Sequence, residues 1–292
     1  MNMSVKDAVI PFVFESIPVR GALVQLESAW QRMQLGHDYA EPVANVLGHS
    51  AAATALIAQS LKFDGTVTFQ INSDGPLSML VMQSTDELDL RGMASAGEIA
   101  SDIGFAELVS GARCAVTVDT GAMEQPYQGI VEINPESLGA SLENYFARSV
   151  QVPSHMQLES DRSHCGGILL QQMPEESPTT EDDWVRLGLL ARTLRAGDLA
   201  GGATHALLQK IFAEDDVRAF RPREARFRCR CSQRKVEEVL RLLGEEETRA
   251  ACEEKGRVDV TCEYCGRLRS FDAVDVTRVF TDQALSGSDS VH

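Results

Sequence analysis

Four cysteines toward the C-terminal end carry the most specific chemistry in the chain. Cys229 and Cys231 form a C-x-C pair, Cys262 and Cys265 form a C-x-x-C pair, and 30 residues separate the two. Four thiols in two close pairs can converge on one tetrahedral zinc, the closed ligand set of a structural site. Gly266, directly after Cys265, allows the tight turn of a zinc knuckle, in which backbone amides approach the sulfurs. The C-x-C pair is less usual. Its short spacing strains the chain when both sulfurs face one metal, and more so if they bond to each other. Arg226, Arg228, Arg230, Arg234 and Lys235 surround this pair. Cationic neighbours lower a thiol pKa, favouring the thiolate that binds metal and also reacts with oxidants. Ser232 reads as the N-cap of a helix to about Leu243, with Val236, Val239, Leu240 and Leu243 at helical spacing. The N-terminus of that helix adds positive potential beside the sulfurs. A purely structural zinc gains little from such activation, whereas a switch uses it.

Other chemistries compete for the same residues. A structural zinc ribbon fits the spacing alone. A zinc deaminase needs His-x-Glu ahead of its C-x-x-C, and none of His37, His49, His155, His164, His205 and His292 has Glu two residues later. The H-E-x-x-H of a metalloprotease is also absent from the sequence. A nucleic-acid-binding zinc ribbon would use the basic run from Arg221 to Lys235. The formal charge of -16 and pI near 4.8 oppose attraction to a polyanion. A thiol oxidoreductase would use Cys262 and Cys265, but the thioredoxin-like βαβ setting is missing.

The 292 residues, 43% of them hydrophobic, suit two domains with a real core. No run of about 18 apolar residues marks a membrane span, and the first residues lack the pattern of a secretory signal. Seven cysteines in that context predict reduced thiols in the cytosol, and the odd number argues against a fully paired disulfide framework.

The elements that must position the cysteines follow from periodicity. Gly21–Gln34 reads as an amphipathic helix through Leu23, Leu26, Trp30 and Met33, and Glu41–Leu61 as a longer one. In the second, Val43, Val46, Leu47, Ser50, Thr54, Ile57 and Leu61 keep helical spacing, and Ala51, Ala52, Ala53 and Ala55 permit close packing. The period then changes to two: Thr66–Ile71 and Leu77–Met82 form a hairpin about Asp74-Gly75-Pro76. Strands follow at Arg113–Asp119 and Tyr127–Ile133, a helix at Ser137–Ser149, and a last strand from Cys165, stopped by Pro174. The mixture is α+β, with antiparallel strands and helices packed on them. Gly166-Gly167 lacks the spacing of a phosphate loop. Cys114, inside a strand, reads as a buried apolar group. His164 and Cys165, as sequence neighbours, point to opposite faces of a strand and do not form a working pair.

The acidic stretch Glu175–Asp183 reads as an exposed linker. Two short helices follow, Asp182–Arg195 and Ala203–Phe212, joined by a loose Gly197–Gly202 connection; alone they are marginal and need a surface to lie on. These divisions give a core domain over 1–174, a helical linker over 175–225 and a small four-cysteine zinc domain over 226–292. Residues from Asp282 to His292 look frayed.

The chain resembles the heat shock protein 33 family of redox-regulated cytosolic holdase chaperones, over nearly its whole length. The resemblance rests on Cys229-Arg230-Cys231-Ser232 and Cys262-Glu263-Tyr264-Cys265-Gly266. In the first domain it rests on Val19-Arg20-Gly21, His37-Asp38-Tyr39, Leu61-Lys62-Phe63-Asp64-Gly65 and Asp74-Gly75-Pro76, and further on Tyr127-Gln128-Gly129, Leu142-Glu143-Asn144-Tyr145-Phe146 and Gly166-Gly167. It implies a non-enzymatic, ATP-independent chaperone whose reduced form is inactive and holds one zinc ion on Cys229, Cys231, Cys262 and Cys265. It also implies that oxidation forms the disulfides Cys229–Cys231 and Cys262–Cys265, releases zinc and exposes an apolar surface for unfolding or oxidatively damaged client proteins. Dimerisation in the active state, reset by thiol reductants, and no role for nucleic acid or membrane belong to the same expectation. Cys252, between the pairs on an acidic helical stretch, is expected to be a bystander.

Overall fold

The computed structural model describes residues 7–100, 102–121, 125–174, 179–201 and 204–286, without side-chain detail at 201 and 282–286. The chain divides into two compact units, 1–228 and 229–292.

In the first unit, β1 (Ala8–Phe14) and β2 (Val19–Leu26) are followed by α1 (Ser28–Gln34) and α2 (Glu41–Ser60). Then come β3 (Thr66–Asn72), β4 (Leu77–Thr85), β5 (Asp89–Ala96), α3 (Phe105–Leu108), β6 (Arg113–Asp119), β7 (Tyr127–Val131) and α4 (Leu138–Tyr145), which runs on into a π-turn at Phe146–Val150. β8 (Ser154–Ser160) and β9 (Cys165–Gln172) lead to α5 (Glu181–Ala191), a 3-10 turn at Ala196–Gly201, and α6 (Thr204–Ile211). The unit closes with three short strands, β10 (Val217–Ala219), β11 (Arg223–Glu224) and β12 (Arg226–Phe227). One sheet has the order β10-β1-β2-β9-β8, with β11 also on β1; the other has the order β12-β5-β4-β3-β6-β7. Every pairing in both is antiparallel except β12 with β5.

α2 touches strands of both sheets, and 14 of its 20 residues are buried, so it is covered on nearly every side. Its run of alanines lets backbone approach backbone. The hydroxyls of Ser50 and Thr54, also buried, donate to the carbonyls of Val46 and Ser50 four residues back, which leaves neither unsatisfied.

The opposite face of the first sheet carries a second core. Phe12, Phe14, Val19, Leu23, Ile168 and Leu170 from the strands meet Leu187, Ala191, Leu207, Leu208 and Phe212 from α5, α6 and the residue after α6. This is the surface the two short helices require. Arg186 on α5 forms a two-pronged ion pair with Asp215 at 2.9 and 2.8 Å. The ring of His155 on β8 stacks on Trp184 of α5 at 4.2 Å between centroids.

Three expectations are corrected. Residues 21–26 belong to strand β2, not to a helix. The strand is buried on both faces, with Leu23 in the α5–α6 core and Val24 and Leu26 in the α2 core, and two-sided burial erases the alternation that marks a strand. The Gly197–Gly202 connection is not loose where it is described. It forms the 3-10 turn, buries Leu199, and ties Asp198 to Lys210 at 2.8 Å; Gly202 lies outside the described residues, as do 175–178 of the acidic stretch. Residues 282–286 continue a helix, while 287–292 of the segment expected to fray lie outside the described residues.

A cavity of about 430 Å³ at the start of α2 is lined by Glu41, Asn45, His49, Phe105 and Glu136, among others. Burial lowers the His49 pKa to about 4. The unfolded chain therefore takes up a proton below about pH 6.5 that the folded chain refuses, so stability is full above that pH and falls as the pH drops toward 4. His49 keeps some exposure, which trims the loss to about 1–2 kcal/mol. Thermal melts from pH 7 to pH 4 should show this decline, and His49→Gln should flatten it.

Candidate metal centre

The second unit is α7 (Gln233–Leu243), α8 (Glu245–Lys255), the hairpin β13 (Val258–Thr261) and β14 (Leu268–Phe271), and α9 (Ala273–Ser286). Its core is small: Val236, Leu240, Cys252, Phe271, Val276 and Val279 are its buried members. Cys252 is thus a packing residue. Cys114 and Cys165 are also buried; burial pushes the Cys114 thiol up to about 12 and the Cys165 thiol well above its ordinary value, so neither is a ready nucleophile.

Two local structures bring the remaining sulfurs together. Cys262 and Cys265 sit on the turn of the β13–β14 hairpin. There the Cys265 and Gly266 amides donate to the Cys262 carbonyl at 3.3 and 2.8 Å, and the Cys262 amide donates to the Arg267 carbonyl at 3.0 Å. Gly266 takes φ +64°, the left-handed conformation that a side chain disfavours. Cys229 and Cys231 lie just before α7, whose first turn is closed by Ser232 Oγ accepting the Lys235 N–H at 3.2 Å. Ser232→Ala should destabilise α7 by about 1 kcal/mol, read as faster amide exchange at Lys235 and Val236 with the first unit unchanged.

The four sulfurs lie within 4.8 Å of one another. The closest contacts run between the pairs, Cys229 to Cys262 and Cys231 to Cys265, each at 3.6 Å. Zinc–sulfur bonds of about 2.3 Å in a tetrahedron place sulfurs roughly 3.8 Å apart, so the donor set fits one such ion. The Cys231 amide reaches the Cys229 sulfur and the Arg267 amide reaches that of Cys265, the pattern expected of a knuckle.

The electrostatics differ from the expectation. Burial chiefly pushes Cys229 up to about 12, against the lowering Cys231 amide and with smaller help from hydrogen bonds to the other thiols, and Cys265 is raised for the same leading reason. Burial also acts to raise Cys231, but hydrogen bonds from Cys229, Cys265, Cys262 and Arg269 outweigh it and hold this thiol below its ordinary value. Arg269, which the sequence reading did not single out, is the cation acting there. Arg226 and Arg228 instead pair with Asp89 at 3.1 and 2.8 Å, and Arg234 lies 3.5 Å from Glu238.

An α+β unit followed by a small unit with four convergent thiols defines a two-part protein with a tetrathiol cluster able to hold a metal ion. A family model described as Hsp33 protein matches residues 7–272. A 33 kDa chaperonin of Nitrosococcus oceani is 36% identical over 281 residues, covering 96% of both chains. One of Methylobacillus flagellatus is 35% identical over 294 residues, covering 99% of this chain and all of that one. The crystal structure of the Thermotoga maritima 33 kDa chaperonin, at 20% identity, superposes with a TM-score of 0.77 over 95% of this chain and 99% of its own. The chain belongs to the Hsp33 family. These relatives are named as chaperonins rather than enzymes, and among the described residues no helix is long and apolar enough to cross a membrane.

Proposed function

We propose that this protein is a redox-regulated, ATP-independent holdase, silent when reduced and active when oxidised. The observation that carries the reading is the convergence of Cys229, Cys231, Cys262 and Cys265. In the resting state the four would hold one zinc ion in a closed site, whose ligation supplies about 10–16 kcal/mol of folding energy to the second unit.

Peroxide oxidises a thiolate to a sulfenic acid and is itself reduced to water. The neighbouring thiol then attacks the sulfenic sulfur, expelling a second water as the S–S bond forms. Done twice, this gives Cys229–Cys231 and Cys262–Cys265, the pairing the family resemblance implies. Disulfide sulfurs are poor ligands, so Cys229, Cys231, Cys262 and Cys265 would no longer hold a zinc ion, and the second unit would lose the fold that ligation supports. The apolar sheet face beneath α5 and α6 supports the rest: lifting those helices uncovers Phe12, Phe14, Leu23, Ile168 and Leu170, a surface that unfolding proteins can occupy. On this reading residues 1–174 are the core domain, 175–225 the linker and 226–292 the switch. The resemblance extends it to a cytosolic setting, a dimeric active form and reset by thiol reductants.

The test follows aggregation of a thermally unfolding client with reduced and with peroxide-treated protein, alongside zinc content and free thiols. Suppression only after treatment, with zinc lost and four thiols consumed, is expected. Equal suppression by both forms with zinc retained overturns the switch. The zinc-ribbon alternative loses ground because Arg226 and Arg228 are engaged by Asp89, and Arg223 by Gln59 and the Asp86 carbonyl. Salt-dependent binding of RNA or DNA by the reduced protein would revive it.

A further inference from the structure

Between α6 and Cys229 the chain is not free. β10 and β11 pair with β1, and β12 pairs in parallel with β5. The last of these attachments is the most heavily built. The side chain of Asp89 is 7% exposed, yet it takes two guanidinium groups, Arg226 at 3.1 Å on one oxygen and Arg228 at 2.8 Å on the other. Backbone bonds run beside them: the Arg226 amide donates to the Leu88 carbonyl at 3.0 Å and the Arg228 amide to the Leu90 carbonyl at 2.8 Å. The turn that presents Asp89 is held in an unfavourable shape. Leu88 is fully buried at φ +63°, a conformation that costs a branched side chain energy and persists only where its surroundings enforce it. The Leu88 amide is fixed on the Thr85 carbonyl and the Asp89 amide on Thr85 Oγ1. Three residues upstream of Arg226, Arg223 donates to Gln59 Oε1 at 2.9 Å and to the Asp86 carbonyl.

We propose that Asp89 is a positioning residue for the switch: its clamp on Arg226 and Arg228 is the barrier that unfolding of the cysteine unit must cross before α5 and α6 can leave the sheet. This rests on the holdase reading for its purpose, but not for its physics. Unfolding that starts at Cys229 and runs toward the N-terminus meets Arg228 first. A buried carboxylate cannot release both cations without being left charged and unpaired, so the step is steep and the helices beyond it stay docked. The clamp thus sets how far loss of the metal site spreads, and gives the switch a threshold.

The experiment is amide hydrogen exchange on the full chain under reducing conditions, zinc-loaded and after chelation. In the wild type, chelation should abolish protection over 229–281 while α5 and α6 keep at least roughly tenfold more of theirs. In Asp89→Asn the zinc-loaded pattern of α5 and α6 should stay close to wild type, but chelation should now cost those helices roughly tenfold or more in protection. The double variant Arg226→Gln, Arg228→Gln removes the other half of the clamp from side chains at least half exposed, should behave alike, and decides the matter if Asp89→Asn does not fold. Loss of α5 and α6 protection together with 229–281 in the wild type overturns the proposal, as does a chelated variant that matches the chelated wild type. Exchange is read without client, so failure of the holdase reading and failure of the clamp are separate results.

Discussion

Cys262→Ser should strip the metal from this protein and unfold its second unit while leaving the first intact. Serine matches the thiol in shape but is not a ligand that zinc accepts in such a set, and three thiols leave the tetrahedron open. Ligation is worth about 10–16 kcal/mol to a small site of this kind. Among the described residues, the unit it supports has six buried apolar residues in its core, and a core on that scale supplies no more than about 3–5 kcal/mol. Removing one ligand therefore exceeds everything else that holds the unit. Metal content should fall from one ion per chain to near none, amide protection should vanish over 229–281, and the melting of residues 7–228 should stay in place. Cys252→Ala is the control. It opens a cavity in the same core and costs about 1–3 kcal/mol, yet should keep the full complement of metal. A folded, metal-free Cys262→Ser unit would mean that the sulfurs are not what holds it together.

Gly188→Ala should have the second largest effect, against the direction of helix propensity. Alanine in place of glycine inside α5 favours the isolated helix by about 1 kcal/mol. In the docked helix, however, a Cβ at this position would lie 2.5 Å from His155 Nε2. The imidazole has little room to yield: it stacks on Trp184 at 4.2 Å, and Glu143 lies 3.8 Å from Nδ1. Overpacking of this kind costs about 1–3 kcal/mol, so α5 should become a better helix and a worse lid. The expected result is faster exchange in α5 and client holding by reduced, zinc-loaded protein that has not met an oxidant. Adding His155→Ala should restore docking by making room, a coupling that a double-mutant cycle reads directly. Unchanged exchange in α5 would show that the contact does not govern docking.

The parts of this architecture that the sequence disclosed are those whose information is local. The cysteine spacing, the Ser232 cap, α2, the β3–β4 hairpin, β6 and the two linker helices are each set by residues within a few turns of one another. What stayed hidden was set by distant partners. Residues 21–26 of β2 carry a helical spacing because neighbours bury both faces of the strand. β1 carries Pro11, which argues against a strand until β2 is seen pairing along it. β5 includes Gly92 and polar positions, and β8 has Met156 and Leu158 as its large apolar residues. The basic run was legible as charge, but its partner Asp89 lies 137 and 139 residues away, so the sequence showed the cations without their destination. The Cys229 thiol moved in the opposite sense to the expectation for the same reason: burial is a property of the folded neighbourhood, not of adjacent letters.

The ladder of the first sheet bears on how the protein is made. β1 leaves a ribosome well before β10 and β11, which complete its pairing as far along as Glu224, and β2 waits for β9. Pairings across such spans form late and slowly, so the nascent chain displays unpaired strand edges until their downstream partners are made. A member of a chaperone family thus passes through a stage in which its own unpaired edges need shelter.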